Sequence, residues 1–279
     1  MKRLFALLFL VALVPALHAD DWPQWRGPRR DGVSLEKGLL KKWPKEGPTI
    51  AWQFKNAGLG FSSFAVRDGK VYTLGSRDDS EIVLVLDAAT GKELWTAKIG
   101  PVVNAPENST WGDGPRSTPT LDGNLLYALG SQSDLVCVDL SKNGAEVWRK
   151  NLEKDFGGKL MTGWGYAESP LVDGAQLFVS PGGEKGSFIA LDKKTGKQIW
   201  RCTDVKQTAP YSSAMPADFG GVHQYVQASY VAGTGGFLNG IDAKTGKLLW
   251  QAQMFKKDSY LIAPTPIVTD KYVYDTSHD

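Results

Sequence analysis

Four stretches of the chain set aromatic rings beside single charges and glycines: Trp111-Gly112-Asp113-Gly114-Pro115-Arg116, Gly163-Trp164-Gly165-Tyr166-Ala167-Glu168, Ala209-Pro210-Tyr211 and Ser259-Tyr260. That composition suits a pocket that orients a ligand with a few polar groups. The side chains with something to offer are Trp111, Arg116, Trp164, Tyr166, Glu168, Tyr211 and Tyr260. Arg116 can grip a carboxylate through two parallel N–H bonds. Glu168 can ligate a cation or act as an acid or base. A structural reading competes: the rings fill the space between elements, and Arg116 pairs with an acid such as Asp113 or Glu168. No residue is assigned a catalytic role.

Other chemistries find little support. His18, His223 and His278 are too few and too scattered for a histidine-rich metal site. Cys137 and Cys202 have no CxxC partner, and both read as small buried strand residues. Asp78-Asp79-Ser80-Glu81 lacks the spacing of a calcium loop and reads as a solvated turn. Gly233-Thr234-Gly235-Gly236 precedes no helix that could present amides to a phosphate. There is no G-x-S-x-G elbow for a serine nucleophile.

The elements that must carry these residues are set by a repeat. Leu86-Asp87-Ala88-Ala89-Thr90-Gly91-Lys92-Glu93-Leu94-Trp95 returns as Leu191-Asp192 to Gly196 and Trp200, and as Ile241-Asp242 to Gly246 and Trp250. Asp139 to Trp148 is a looser copy with one extra residue, and the four tryptophans lie 53, 52 and 50 residues apart. Within each period a Ser/Pro-marked strand leads into an Asp-Gly turn such as Asp68-Gly69 or Asp122-Gly123. A second strand follows, then a third ending at the aspartate, then a fourth holding the tryptophan. Four short antiparallel strands per period of about fifty residues describe a propeller blade. In the fourth period Tyr211–Met215 and Gln224–Ala228 stand for the first two strands, and a fifth opens at Ile262. The fold class expected is therefore all-β, a β-propeller of about four blades plus part of a fifth.

Residues 49–55 look like an outer strand donated to the last blade of a ring. The chain reads as a truncated piece of a seven- or eight-bladed protein, prone to aggregate by itself because an open arc leaves strand edges bare. With 32 basic and 30 acidic residues, nothing electrostatic points to nucleic acid. Lys2 and Arg3 precede an apolar run of about ten residues and a small residue before the cut, as a secretory signal needs, with cleavage after Ala19. Residues 20–48 hold Trp22, Trp25 and Trp43 among prolines and glycines. They read as an irregular arm whose rings cover apolar surface of the propeller at 49–279.

The Asp-x-x-Thr-Gly-Lys-x-x-Trp repeat resembles the tryptophan-docking motif of the pyrroloquinoline quinone (PQQ) propeller superfamily. That superfamily holds quinoprotein alcohol dehydrogenases and non-catalytic relatives such as the BamB lipoprotein. The arm Asp21-Trp22-Pro23-Gln24-Trp25-Arg26-Gly27-Pro28 resembles the start of exported PQQ-like repeat proteins of planctomycete-type bacteria. The resemblance implies that Asp87, Asp139, Asp192 and Asp242 organise turns, that Gly91, Gly196 and Gly246 take left-handed conformations, and that Trp95, Trp148, Trp200 and Trp250 dock each blade on its neighbour. It implies a periplasmic or secreted binding module with a protein partner in the cell envelope, no cofactor, and no transmembrane segment once the signal is removed. The alternative it carries is a PQQ- and calcium-dependent dehydrogenase. Adjacent cysteines and a CxxCH haem motif, both found among such enzymes, are missing here.

Overall fold

The computed structural model describes residues 20–102, 113–161, 163–256 and 262–276. Four antiparallel four-stranded sheets follow one another along the chain, each in simple meander order. The first holds β1 (Ala65–Arg67), β2 (Lys70–Arg77), β3 (Ser80–Asp87) and β4 (Glu93–Pro101). The second holds β5 (Thr120–Asp122), β6 (Leu125–Leu129), β7 (Asp134–Asp139) and β8 (Ala145–Asn151), followed by a short helix α1 (Leu152–Phe156). The third comprises β9 (Leu171–Asp173), β10 (Gln176–Val179), β11 (Phe188–Asp192) and β12 (Gln198–Cys202), and the fourth β13 (Met215–Phe219), β14 (Val222–Val231), β15 (Gly235–Asp242) and β16 (Leu248–Lys256). A two-stranded sheet, β17 (Ile267–Val268) and β18 (Val273–Tyr274), comes last.

Hydrophobic patterning accounts for this layout. The third strands are buried through most of their length, as Ile82-Val83-Leu84-Val85-Leu86 is, as central strands covered on both faces must be. Outer strand β4 instead alternates in burial over Glu93–Ala97. The cores lie between sheets: Val83, Val85, Leu126 and Val136 join the first to the second, and Tyr127, Cys137, Leu177 and Ile189 the second to the third. Phe178, Phe188, Tyr225 and Ile241 join the third to the fourth.

Three local expectations are corrected. The first strand of the fourth sheet begins at Met215 rather than Tyr211, because the hairpin turns at Gly220-Gly221, whose φ values of 59° and 77° fit a two-residue turn. Residues 49–55 form no strand among the described residues. Trp43 is 69% exposed, so only Trp22 and Trp25 of the arm are partly covered.

Candidate functional site: joints, loop mouth and hub

The repeated motif forms the joints between sheets. In each turn the aspartate accepts from the hydroxyl and amide two or three residues on, as Thr195 Oγ1 and N both do to Asp192 Oδ1 at 2.8 Å. Ser141 replaces the threonine at Asp139, with its hydroxyl at 2.6 Å. These bonds hold the carboxyls of Asp87, Asp139, Asp192 and Asp242 below the usual range. Each tryptophan lies against the turn glycine of the next sheet: Trp95 on Gly144, Trp148 on Gly196 and Trp200 on Gly246. The indole Nε1 of Trp148 donates to Lys193 O at 3.1 Å, and that of Trp200 to Ala243 O at 3.0 Å. Trp52, ahead of the first sheet, makes the same contact with Gly91 and donates to Ala88 O at 2.9 Å. Trp250 instead donates to Gln224 Oε1 of its own sheet at 2.7 Å.

One device aims all four rings, and the sequence reading missed it. The register slips by one residue beside Leu94, Val147, Ile199 and Leu249, each directly before its tryptophan. A bulge there re-aims the following side chain and leaves the aliphatic residue 42–49% exposed.

At the opposite end of the sheets, the loops preceding the first strands, here called the loop mouth, bring some of the candidate pocket residues together. The Arg116 guanidinium lies 4.8 Å from the Phe61 ring centroid and 5.8 Å from that of Trp164. Its Nε donates to Trp164 O at 3.0 Å. Partial burial lowers its pKa, opposed by Tyr211, Glu81 and Asp113. Tyr211 is partly exposed, with its amide on Ile262 O at 3.0 Å. Tyr166 does not face the mouth: it is 1% exposed in the core, and its hydroxyl donates to Pro181 O at 2.9 Å. Trp111 and Tyr260 lie outside the described residues.

Behind the mouth sit two buried carboxyls. Glu168 accepts from the Ser180 amide and from Gln227 Nε2, the latter at 3.1 Å. Burial pushes its pKa up to about 7 against these bonds and the charge of Arg30. Glu81 accepts from the amide and hydroxyl of Ser131, the amide at 2.8 Å, and burial raises its pKa too. Glu81 is fully buried, so the expected solvated turn holds for the exposed Asp78 and Asp79 alone.

The arm reaches the inner strand or its lead-in in all five sheets. Trp22 exchanges backbone bonds with Val66, and Pro23 O accepts from Leu121 N at 2.9 Å. Arg30, 1% exposed, donates to Ser169 O, Pro170 O and Ala214 O at 2.9 to 3.2 Å. Trp25 Nε1 donates to Thr265 Oγ1 at 3.1 Å. Alongside runs a chain of bonds in which Thr118 N donates to Ser169 Oγ, Ser169 N to Ser213 Oγ and Ser213 N to Thr265 Oγ1, at 2.9, 2.8 and 3.4 Å. The recurring Ser/Thr-Pro pairs were the available sequence signal for this belt.

The family model described as outer membrane protein assembly factor BamB matches residues 78–279. The chain belongs to this family. It is 29% identical over 188 residues to the outer membrane protein assembly factor BamB of Kangiella koreensis, covering 67% of this chain and 41% of that one. It is also 30% identical over 152 residues to the quinohemoprotein alcohol dehydrogenase ADH IIB of Pseudomonas putida, covering 50% of this chain and 20% of the enzyme. Among solved structures, the quinohemoprotein alcohol dehydrogenase of Comamonas testosteroni matches with a TM-score of 0.61 at 17% identity, over 89% of this chain and 43% of that one. The fold is thus a PQQ-like β-propeller, and the chain spans less than half the length of these relatives.

Proposed function

We propose that this chain is part of a non-catalytic PQQ-like propeller serving as a binding and scaffolding module in the periplasm or cell envelope, with a protein as its partner. Export by a signal cleaved after Ala19 belongs to the same proposal; residues 1–19 lie outside the described ones. What supports the reading is where the repeated residues are spent. The aspartates, glycines and tryptophans of the motif are used in turns and joints. The BamB relatives point the same way.

A second reading, a PQQ- and calcium-dependent alcohol dehydrogenase, is favoured by the identity with the Pseudomonas putida enzyme. The donors present do not fit it. Calcium takes roughly six to eight oxygen ligands, whereas Glu81 and Glu168 are already held by amide, hydroxyl and carboxamide donors. Among the described residues no three His, Cys, Asp or Glu side chains converge on a metal position.

The two readings separate on the full-length protein. After incubation with PQQ and Ca²⁺ and desalting, we expect no retained quinone absorbance and no dye-linked alcohol oxidation; stoichiometric chromophore with turnover overturns the proposal. A photo-crosslinking residue at Phe61, beside Arg116, is expected to give one defined adduct with an envelope protein. Arg116→Ala is expected to weaken that adduct several-fold.

A further inference from the structure

The second-to-last histidine is held between two carboxylates, and the two belong to different sheets. His223, at the start of β14, pairs in register with Asp218 of β13. Its Nδ1 lies 2.9 Å from Asp218 Oδ1, and its Nε2 lies 2.7 Å from Asp173 Oδ2 at the end of β9 in the third sheet. Asp173 Oδ2 also accepts from the Tyr225 hydroxyl at 2.8 Å. The Tyr225 ring packs in turn on Phe178 and on the joint residue Trp200, with centroids 4.8 and 6.2 Å away. Asp173 is thus fixed from below, while Asp218, with a side chain 78% exposed, is held by the imidazole at the surface.

Hydrogen-bond counting sets the protonation state. An ionised carboxylate only accepts, and a neutral imidazole carries one N–H. Two carboxylates at hydrogen-bond distance from the two ring nitrogens therefore call for the doubly protonated ring. Partial burial works against that charge, and the bonds and charges of Asp173 and Asp218 overcome it, holding the imidazole above the ordinary histidine value. Asp242 and Lys244, from the β15–β16 turn, line the same groove of about 630 Å³ between the third and fourth sheets, together with Gln176 and Ile199.

We propose that Asp173–His223–Asp218 is a proton-dependent clasp between the third and fourth blades. The imidazolium makes both bonds, and loss of one proton breaks the bond to Asp218 within the fourth sheet and turns the ion pair with Asp173 across the sheets into a neutral hydrogen bond. The Nδ1 proton leaves to water, and the Nε2–H stays on Asp173, whose carboxylate Tyr225 holds in place. The bare Nδ1 lone pair then faces the Asp218 carboxylate, so Asp218 turns to solvent, while the Nε2–H bond to Asp173 still joins the two sheets but without the charge of the imidazolium. Because the folded-state value is raised, the clasp stabilises fully below the unfolded histidine value of about 6.5. That contribution is lost as pH rises through the raised folded value.

The test is a ¹⁵N titration of the imidazoles in the full-length protein, with His223 assigned by its absence in His223→Gln. The expected result is a midpoint above the ordinary value, a neutral Nε2–H tautomer, and a midpoint lowered by Asp173→Asn and by Asp218→Asn. The melting-temperature advantage of wild type over His223→Gln should be largest at about pH 5.5 and smaller at about pH 9. A midpoint at or below the ordinary value, or an advantage that does not change with pH, overturns the clasp. Should a variant fail to fold, the titration of the wild-type ring decides the matter alone.

Discussion

At the scale of single residues, the ring of Trp200 does several jobs at one position. It is 8% exposed, donates to Ala243 O, and rests on Gly246, which has a φ of +74°. Trp200→Ala removes a large buried ring without closing the gap, so urea unfolding should show a loss of about 3–5 kcal/mol. Gly246→Ala forces a side chain into the left-handed region and into the indole, at a cost of about 1–3 kcal/mol. Trp250→Ala should cost less than Trp200→Ala, because Trp250 is partly exposed and bonds within its own sheet. The aspartate, glycine and tryptophan of each joint could be read from spacing because they recur. The bulge that aims each ring could not, since Leu94, Val147, Ile199 and Leu249 look like ordinary members of an alternating strand.

Among the elements, the arm is the least regular and reaches furthest. Arg30 bonds residues 139 to 184 positions away in the chain, contacts that no local pattern announces. The arm's packing was legible from its tryptophans, but the residue that anchors it was not. Arg30→Lys keeps a charge but loses the planar fork, leaving carbonyls of the third and fourth sheets without donors. A loss of roughly 2–4 kcal/mol is expected in urea unfolding, with earlier proteolysis at residues 20–48. Glu168 interacts electrostatically with this anchor, and its pH response has a definite sign. With a folded pKa of about 7 against an unfolded value of about 4.3, its contribution is full below the unfolded value. It is lost as pH rises through the folded value. Wild-type stability should therefore fall between about pH 4.5 and pH 7.5 relative to Glu168→Gln, whose amide does not titrate. A difference that stays flat over that interval would mean Glu168 is ionised throughout, with Arg30 neutralising it.

For the whole molecule, apolar cores lie between neighbouring sheets. Stability should then pass from sheet to sheet as in a stacked array, where each unit depends on its neighbours. The second and third sheets each share an apolar core with a complete four-stranded sheet on either side. Native-state hydrogen exchange should accordingly find the slowest amides in β7 and β11. Trp148→Ala lies at the joint between the two slow sheets, so it should speed exchange in both while leaving β2 and β3 closer to wild type. If the mutation instead accelerated every protected amide by one common factor, the sheets would be opening as a single unit. The arm and the hydroxyl belt, which cross the sheet boundaries, would then be the elements that impose that unity. Combining Trp148→Ala with Arg30→Lys distinguishes the cases: additive effects confined to adjacent sheets fit neighbour coupling, and a shared non-additive loss fits control from the arm and the hydroxyl belt.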